Sequence, residues 1–345
     1  MIPRSSDALA LVRLYRDVYG GTYPLALGRD EAEVRRLLAL PTTHWRVVRG
    51  PQGTPVASAM VVEDPLLGVG VLAGIAVHPD HAGHGLAHLV SQAACASAFG
   101  NRAFPSAYAT VRLCSPQAQR VVLDQGFRPV GVLPRAARLA RRETLGLFVR
   151  HAPGAWEARR APGSLPLRLL PLYSRALAAL GREGRLVPAP AAAPSYPHGR
   201  APQPGTAPPL RLYRLDERRP RRHAIATASG SSGVVVDLDP ANGNARLVNT
   251  WPSHHVLPRL LGPALDVLRA SGIDYLDAAI PLIGEADNAA VESHLAAGMS
   301  PTAYYPAAYR HGGALHDLVF LACCAEPVER HLLRPCSDIT AFLTP

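Results

Sequence analysis

The amino-acid sequence predicts an α/β protein with two similar halves, each a mixed, mostly antiparallel twisted sheet flanked by helices. Its 345 residues are enough for two domains of ordinary size. Eight prolines lie among alanine, glycine and serine at 188–209 and divide the chain into nearly equal parts. The part after this segment repeats the part before it when 172 is added to the residue number, which indicates an internal duplication.

The first half is predicted to contain one parallel step in an antiparallel sheet. The period of the apolar residues predicts helices at 7–19 and 30–40, strands at 45–49, 56–62 and 69–77, a helix ending at Phe99, a strand at 106–113, a helix at 117–125 and strands from Phe127 to Val149. A helix that connects two neighbouring strands makes them parallel, whereas the preceding strands form a meander. Another helix is expected at 165–180.

The duplication is clearest in the helix after the parallel step. Between Ala118 and Pro134, five residues are identical to those found at the offset of 172. The identical pairs are Ala118 and Ala290, Leu123 and Leu295, Gly126 and Gly298, Pro129 and Pro301, and Pro134 and Pro306. The same offset places the strand at 106–113 onto 278–285.

One loop in the first half is suited to bind an anion. The apolar strand at 69–77 stops at His78 and Pro79, and a helical pattern begins at Leu86. A helix N-terminus carries free N–H groups and partial positive charge. Gly83 and Gly85 have no Cβ, so a phosphate can approach the main chain closely.

This loop resembles motif A of the GNAT superfamily of N-acetyltransferases, which follows a strand ending Val-x-Pro. The six motif positions are Ala82, Gly83, His84, Gly85, Leu86 and Ala87. Ala82 stands where the family usually has Arg or Gln, so one side-chain contact to phosphate is missing. The segment from Ser115 to Gly131 resembles motif B, with a helix that begins at Ser115 and ends at Gly126 before Phe127. Both halves are therefore expected to have the GNAT fold.

The resemblance implies that the loop binds the pyrophosphate of acetyl-CoA or another acyl-CoA, and that an amide at or near Val77 binds the thioester carbonyl. We therefore expect an acyl-CoA-binding domain at 1–150, a connecting helix and linker at 151–209, and a degenerate GNAT-like domain at 210–345. The degenerate loop has His255 and Leu257 where the first half has Gly83 and Gly85, so it should not bind coenzyme A.

The acid and base positions of the family are vacant in this chain. The strand at 69–77 has no carboxylate, and Val122 occupies the position of the usual motif B tyrosine. We expect Tyr108 or Ser115 as proton donor and His78 as base. The alternatives are packing for Tyr108, helix capping for Ser115 and a solvated turn for His78.

No metal site is expected at the four histidines around the loop. Of His78, His81, His84 and His88, only the last two share a helix face, and no Cys or Glu completes a ligand set. His84 is expected to touch a phosphate instead.

Composition limits the partners. No apolar run approaches the roughly 20 residues that span a bilayer, so no membrane is expected. Five cysteines without paired spacing fit a reducing cytoplasm. The chain has no lysine, so arginine supplies all 36 Lys and Arg positions, and the net charge is +10, which would attract coenzyme phosphates, acidic substrates or RNA.

The leading hypothesis is acyl transfer to a small-molecule amine, bound near the loop at 19–24, by a monomer or homodimer. Two alternatives stay open: a Fem-type peptidyltransferase that uses aminoacyl-tRNA, and an acyl-CoA-binding protein without catalytic activity.

Overall fold

The computed structural model describes residues 1–20, 23, 25–100, 104–139, 141–184, 186–189, 209–215, 221–324 and 328–343. Its helices are α1 (Ala8–Tyr19), α2 (Glu31–Ala39), α3 (Leu86–Gly100), α4 (Pro116–Asp124), α5 (Leu170–Ala179), α6 (Leu257–Ala270), α7 (Glu285–Ala296) and α8 (Ser337–Thr340). Its strands are β1 (His44–Arg49), β2 (Pro55–Asp64), β3 (Val69–Val77), β4 (Ser106–Arg112), β5 (Arg128–Arg138), β6 (Arg142–His151), β7 (Arg159–Arg160), β8 (Ser164–Leu165), β9 (Val187–Pro188), β10 (Leu210–Arg214), β11 (Arg222–Thr227), β12 (Gly233–Asp239), β13 (Asn244–Trp251), β14 (Tyr275–Leu282), β15 (Ser300–His311) and β16 (Ala314–Cys324). Most of the proline-rich segment lies outside the described residues.

One large sheet runs through both halves, with strand order β1-β2-β3-β4-β6-β5-β15-β16-β14-β13-β12-β11-β10. In each half an antiparallel meander leads through one helix to a parallel strand, β3–α3–β4 in the first and β13–α6–β14 in the second. Each half then ends in a hairpin whose second strand lies inside the sheet, next to the parallel strand. The mixed, mostly antiparallel sheet that the sequence predicts is confirmed.

Local sequence signals explain the helix boundaries of the first half. Helix α1 ends at Gly20, which has a left-handed backbone with φ +58°. Helix α2 begins after Asp30, whose carboxylate accepts a hydrogen bond from the Glu33 amide. Helix α4 begins after Ser115, whose hydroxyl accepts from the Ala118 amide in the same way.

Irregularities of the backbone recur at the offset of 172. Arg135 and Ala307, which are related by this offset, both have positive φ, at 53° and 50°. The ladders of β5 and β15 shift register at matching places, between Pro129 and Gly131 and between Pro301 and Ala303. Defects of this kind are not required by the sheet itself, so their repetition is independent support for equivalent halves.

The offset is smaller for the strand after the parallel step. Arg112 pairs with Leu145, and Leu282 pairs with Asp317, so β4 and β14 are related by an offset of 170 while β6 and β16 keep the offset of 172. The predicted strand at 278–285 was therefore wrong by about three residues, because the observed strand is Tyr275–Leu282. The change of the offset from 170 to 172 takes place in the first turn of α7, which begins at Glu285.

The two halves meet on a pseudo-two-fold axis. Gly131 of β5 pairs with Ala303 of β15, its own equivalent at offset 172, and the pairing is antiparallel. A Cβ on Gly131 would lie 2.3 Å from the Ala303 Cα, so only glycine permits this approach. The antiparallel contact places the helix-entry loops of the two halves at opposite ends of the sheet.

Each half is completed by the chain segment that follows the last strand of the other half. After β6, strand β7 pairs in parallel with β16, and Arg159 forms a two-pronged ion pair with the buried Asp317. After β16, the C-terminal tail (residues 328–343) returns to the first half, where Ile339 is fully buried against Gly146. The halves therefore exchange their terminal segments.

Candidate active site

The glycine loop between β3 and α3 is an exposed cradle. Gly83 and Gly85 have φ of +80° and +70°, and a Cβ on either would meet nothing within 4 Å. Helix α3 starts at Leu86, and the Gly85 carbonyl accepts its first hydrogen bond from the Leu89 amide at 3.1 Å. The N–H groups of this first turn therefore face an open space that favours an anion.

A slot between β3 and β4 leads to this cradle. The two parallel strands pair only at Gly70 with Ala107 and at Val71 with Tyr108. Beyond these pairs β4 continues to pair with β6 as far as Arg112, so residues 72–77 of β3 separate from it. Both strands stop at the same end of the first half, and we call this end of the molecule "the open end".

The equivalent loop of the second half is shorter. The connection from β13 to α6 spans 252–256, whereas the connection from β3 to α3 spans 78–85. The shorter loop contains a 3-10 turn at His254–Val256 and no glycine, and Pro258 lies in the first turn of α6. Pro258 has no N–H to donate to an anion, and the side chains of the loop leave less room for one.

Three tyrosines fix a bulge in β3 beside the slot. Gly74 has φ +63°; its amide donates to Tyr23 Oη at 2.9 Å, and its carbonyl accepts from Tyr15 Oη at 2.7 Å. Tyr19 donates to the Ile75 carbonyl and stacks on Tyr23 at 4.3 Å between ring centroids. Burial raises the pKa of Tyr19 to about 12, which keeps this hydroxyl a donor. The isolated glycine in a strand pattern was the available sequence signal.

Tyr108 does not lie near the other predicted catalytic residues. It pairs with Val71, six residues before the end of β3, which puts it roughly 20 Å from the glycine loop along the strand. Its hydroxyl donates to Asp64 at 2.9 Å, and its ring packs edge-on against Tyr305. Burial raises its pKa. These contacts give Tyr108 a packing role between the halves. Its position depends on the register between β3 and β4, which the sequence did not specify.

His78 and Ser115 both lie at the open end. They follow the C-terminal ends of the adjacent parallel strands β3 and β4. The His78 Nδ1 accepts from the Asp80 amide at 3.3 Å, and its Nε2 lies 3.9 Å from Asp17 Oδ2. Ser115 caps α4. The structure thus brings two of the three candidates to the same end of the slot.

The other loop histidines do not form a ligand cluster. His84 Nδ1 lies 3.3 Å from the carbonyl oxygen of His81, and His88 Nδ1 lies 3.2 Å from Gln125. Within the described ranges, no group of three His, Cys, Asp or Glu side chains could hold a metal ion.

A charged cluster that the sequence analysis missed lies at the end of β4. The Arg112 guanidinium donates twice to Glu143 of β6, at 2.6 and 2.7 Å, and the Cys114 thiol donates to the same carboxylate at 3.2 Å. Burial raises the pKa of Glu143, but the hydrogen bonds from Arg112 and Cys114 outweigh it and lower the pKa overall. Glu143 is too far from Arg112 and Cys114 in sequence to give a local signal.

Residues 9–127 match the Acetyltransferase (GNAT) family. The first half contains a GNAT acetyltransferase domain. The match includes both the glycine loop and Ser115, and it ends before the second half. The match covers about a third of the chain, and for this part the family implies acyl transfer with an acyl-CoA as donor.

Solved structures of acetyltransferases are similar to less than half of the chain. A spermidine N-acetyltransferase SpeG mutant from Vibrio cholerae is 15% identical, over 44% of this chain and 92% of that one, with a TM-score of 0.37. A ribosomal-protein-S5-alanine acetyltransferase from Vibrio fischeri is 14% identical, over 44% and 92%, with a TM-score of 0.38. A GNAT acetyltransferase from Streptococcus pneumoniae is 18% identical, over 44% and 97%, also at 0.38.

A search of curated proteins gives no match. Among the helices that the structure describes, none has the length and apolarity needed to cross a membrane.

Proposed function

We propose that this protein transfers the acyl group of acetyl-CoA or another acyl-CoA to the amine of a small molecule. The observation that carries the proposal is the slot between β3 and β4, which opens onto the glycine loop at the N-terminus of α3. The extended, amide-bearing arm of coenzyme A fits beside residues 72–77 of β3, and its pyrophosphate fits the cradle at the end of the slot.

Each part of the donor has a counterpart in the chain. The amides of Gly83 to Ala87 would hold the pyrophosphate, and the exposed His84 would supply a contact in place of the side chain absent at Ala82. The main-chain amide of Val77 or a near neighbour would polarise the thioester carbonyl. Such a fixed donor stabilises the oxyanion that develops in the transition state.

The reaction is a direct displacement. The amine nitrogen bonds to the carbonyl carbon, the carbon–sulfur bond breaks, and one proton moves from the amine to the departing thiolate. We assign proton acceptance to His78 and proton donation to Ser115, because both lie at the open end. Tyr108 is left out of the chemistry because Asp64 and Tyr305 hold it away from that end.

Calorimetric titration with coenzyme A tests donor binding. The unmodified chain should bind one equivalent, and Gly85→Val should weaken binding at least tenfold, because its side chain enters the cradle. Gly181→Val is the matched control: Gly181 also has positive φ, at +64°, and open space around it, but it follows α5. Equal affinity in all three proteins would contradict the proposal.

Thiol release with a panel of amines tests the chemistry. Ser115→Asn keeps a residue that caps helices but removes the hydroxyl, so kcat should fall by about 10²–10⁴ while coenzyme affinity stays constant. Turnover that is lost after ribonuclease treatment would instead indicate aminoacyl-tRNA as the donor. Coenzyme binding without turnover of any amine would indicate a non-catalytic protein.

A further inference from the structure

We propose that Tyr19 is a positioning residue for acyl transfer. Its hydroxyl holds the Ile75 carbonyl and thereby keeps the Val77 amide directed at the thioester carbonyl of the donor. The inference rests on the proposed function and deepens it, because it names the side chain through which helix α1 acts on the reacting end of the slot.

The pairing of β3 with β2 determines where the Val77 amide points. The His78 amide donates to the Val56 carbonyl at 2.8 Å, so it points toward β2. Paired residues of antiparallel strands alternate between pairs with and without mutual hydrogen bonds, and Val77 with Ala57 is a pair of the second kind. The Val77 amide therefore points toward the slot, where β4 no longer pairs with β3.

The Ile75 carbonyl lies on the same edge of β3 as the Val77 amide. Ala76, the residue between them, is turned the other way and pairs with Ser58 of β2. Within a trans peptide the C=O and N–H groups point in opposite directions, so the carbonyl that precedes the Ala76 amide faces the slot. The ladder with β4 has already ended there, and Tyr19 supplies the donor that β4 does not.

The charge of Arg112 also places the Tyr19 hydroxyl on the slot side of β3. Burial raises the pKa of this hydroxyl to about 12, and the guanidinium of Arg112 opposes the rise. Arg112 is the last residue of β4, so the hydroxyl lies on the side of β3 that faces β4. At neutral pH the hydroxyl keeps its proton and remains a hydrogen-bond donor.

Helix α1 holds the Tyr19 side chain in a fixed place. Tyr15 and Tyr19 lie one helical turn apart and donate to the carbonyls of Gly74 and Ile75, which are neighbours in β3. The Tyr19 ring also stacks on Tyr23, with 4.3 Å between the ring centroids. The main chain beside the slot is thus fixed before the thioester enters, as a group that stabilises an oxyanion requires.

Loss of the Tyr19 hydroxyl would leave the Ile75 carbonyl free to turn. Phenylalanine keeps the ring, but a carbonyl that has lost its donor turns to water or to the amide groups of coenzyme A. The peptide groups from Ile75 to Val77 would then lose their fixed direction. We expect coenzyme A to bind with similar affinity, because the glycine loop holds its pyrophosphate, but the thioester carbonyl to be polarised less.

Infrared difference spectroscopy tests the proposal without an acceptor. Acetyl-CoA with an isotope label in its carbonyl should show a lower stretching frequency when bound to the unmodified chain than when free in solution. Tyr19→Phe should lose at least half of this shift and keep its affinity for coenzyme A within about twofold. Tyr304→Phe is the matched control and should keep the full shift: Tyr304 is also buried and donates one hydrogen bond, to Asp317, but it lies in the second half.

Turnover gives a second measurement. With an amine that the unmodified chain acylates, kcat of Tyr19→Phe should fall by about tenfold to hundredfold, whereas KM for acetyl-CoA should change by less than about threefold. A full carbonyl shift in Tyr19→Phe, or loss of its coenzyme A binding, would overturn this inference alone, the latter because it would show a purely structural role. Absence of the shift in the unmodified chain would remove the role of the Val77 amide and this inference with it. Failure of the unmodified chain to bind acetyl-CoA would overturn the proposed function as well.

Discussion

Replacement of Gly74 by alanine tests whether the tyrosine cluster fixes the bulge of β3. The added Cβ would lie 2.6 Å from the Tyr15 hydroxyl oxygen and 3.3 Å from Leu27 Cδ1. Tyr15 is fully buried, so its hydroxyl has little freedom to move. The φ of +63° is also unfavourable for any residue with a Cβ.

The expected loss follows from these two effects. The left-handed conformation costs an alanine about 1–2 kcal/mol. Displacement of the buried Tyr15 hydroxyl from the Gly74 carbonyl costs about 1–3 kcal/mol more, since its partner would be left without its hydrogen bond. The free energy of unfolding should therefore fall by about 2–5 kcal/mol.

Urea denaturation measures this loss, and Gly68→Ala is the matched control. Gly68 has φ +68° in the turn between β2 and β3, but its Cβ would meet nothing within 4 Å, so only the conformational cost applies. The double variant Tyr15→Phe/Gly74→Ala lacks the crowded hydroxyl oxygen. Its loss in free energy of unfolding should therefore be smaller than the sum of the losses of the two single variants. Equal losses for Gly74→Ala and Gly68→Ala would refute the reasoning.

Three further predictions concern buried groups. Asp317→Asn should destabilise the fold by about 3–5 kcal/mol, because Arg159 would lose its buried counter-charge. Ile339→Ala should cost about 2–5 kcal/mol and reduce coenzyme affinity, since Ile339 belongs to the core of the first half. The hydrogen bond from Arg49 lowers the pKa of Asp7, so its stabilisation is present above the unfolded value of about 3.9 and disappears as pH falls through the folded value. Asp7→Asn should therefore be destabilised in urea at pH 7, with a difference from the parent chain that shrinks in acid.

Exposed positions provide the controls for these three predictions. Asp266→Asn removes an acid whose side chain is 76% exposed, and Leu167→Ala shortens a side chain that is 68% exposed. Both should change the free energy of unfolding by less than about 0.5 kcal/mol. A loss for Ile339→Ala as small as that for Leu167→Ala would mean that the tail does not support the first half. A constant difference between Asp7→Asn and the parent chain from neutral to acid pH would contradict the assigned pKa shift.

The parts of the fold set by neighbouring residues could be read from the sequence. Helix α1, the glycine loop and the cap of α4 each depend on residues within one or two turns, and each lies where the sequence predicts. The offset of 172 also holds for the hairpin strands, because β5 and β15 keep the same bulges. Repeated defects preserve spacing even where side chains have diverged.

Features set by distant pairing could not be read in this way. The position of Tyr108 depends on which residue of β3 it faces, and apolar periodicity fixes the side of a strand but not its register. The pair of Arg112 and Glu143 forms across two strands that are neighbours only after β6 enters the sheet between β4 and β5. The contact of Ile339 with Gly146 likewise joins residues that the whole second half separates in sequence.

The exchange of terminal segments has a consequence for synthesis on the ribosome. Ile339 fills the core beside Gly146, so the first half lacks part of its interior until synthesis has passed residue 339. Folding of the first half must close a loop that contains the entire second half. Closing so long a loop slows folding and prolongs the exposure of the C-terminal end of β4. A nascent chain arrested before residue 328 should therefore stay sensitive to protease in its first half, although every strand of that half has already emerged.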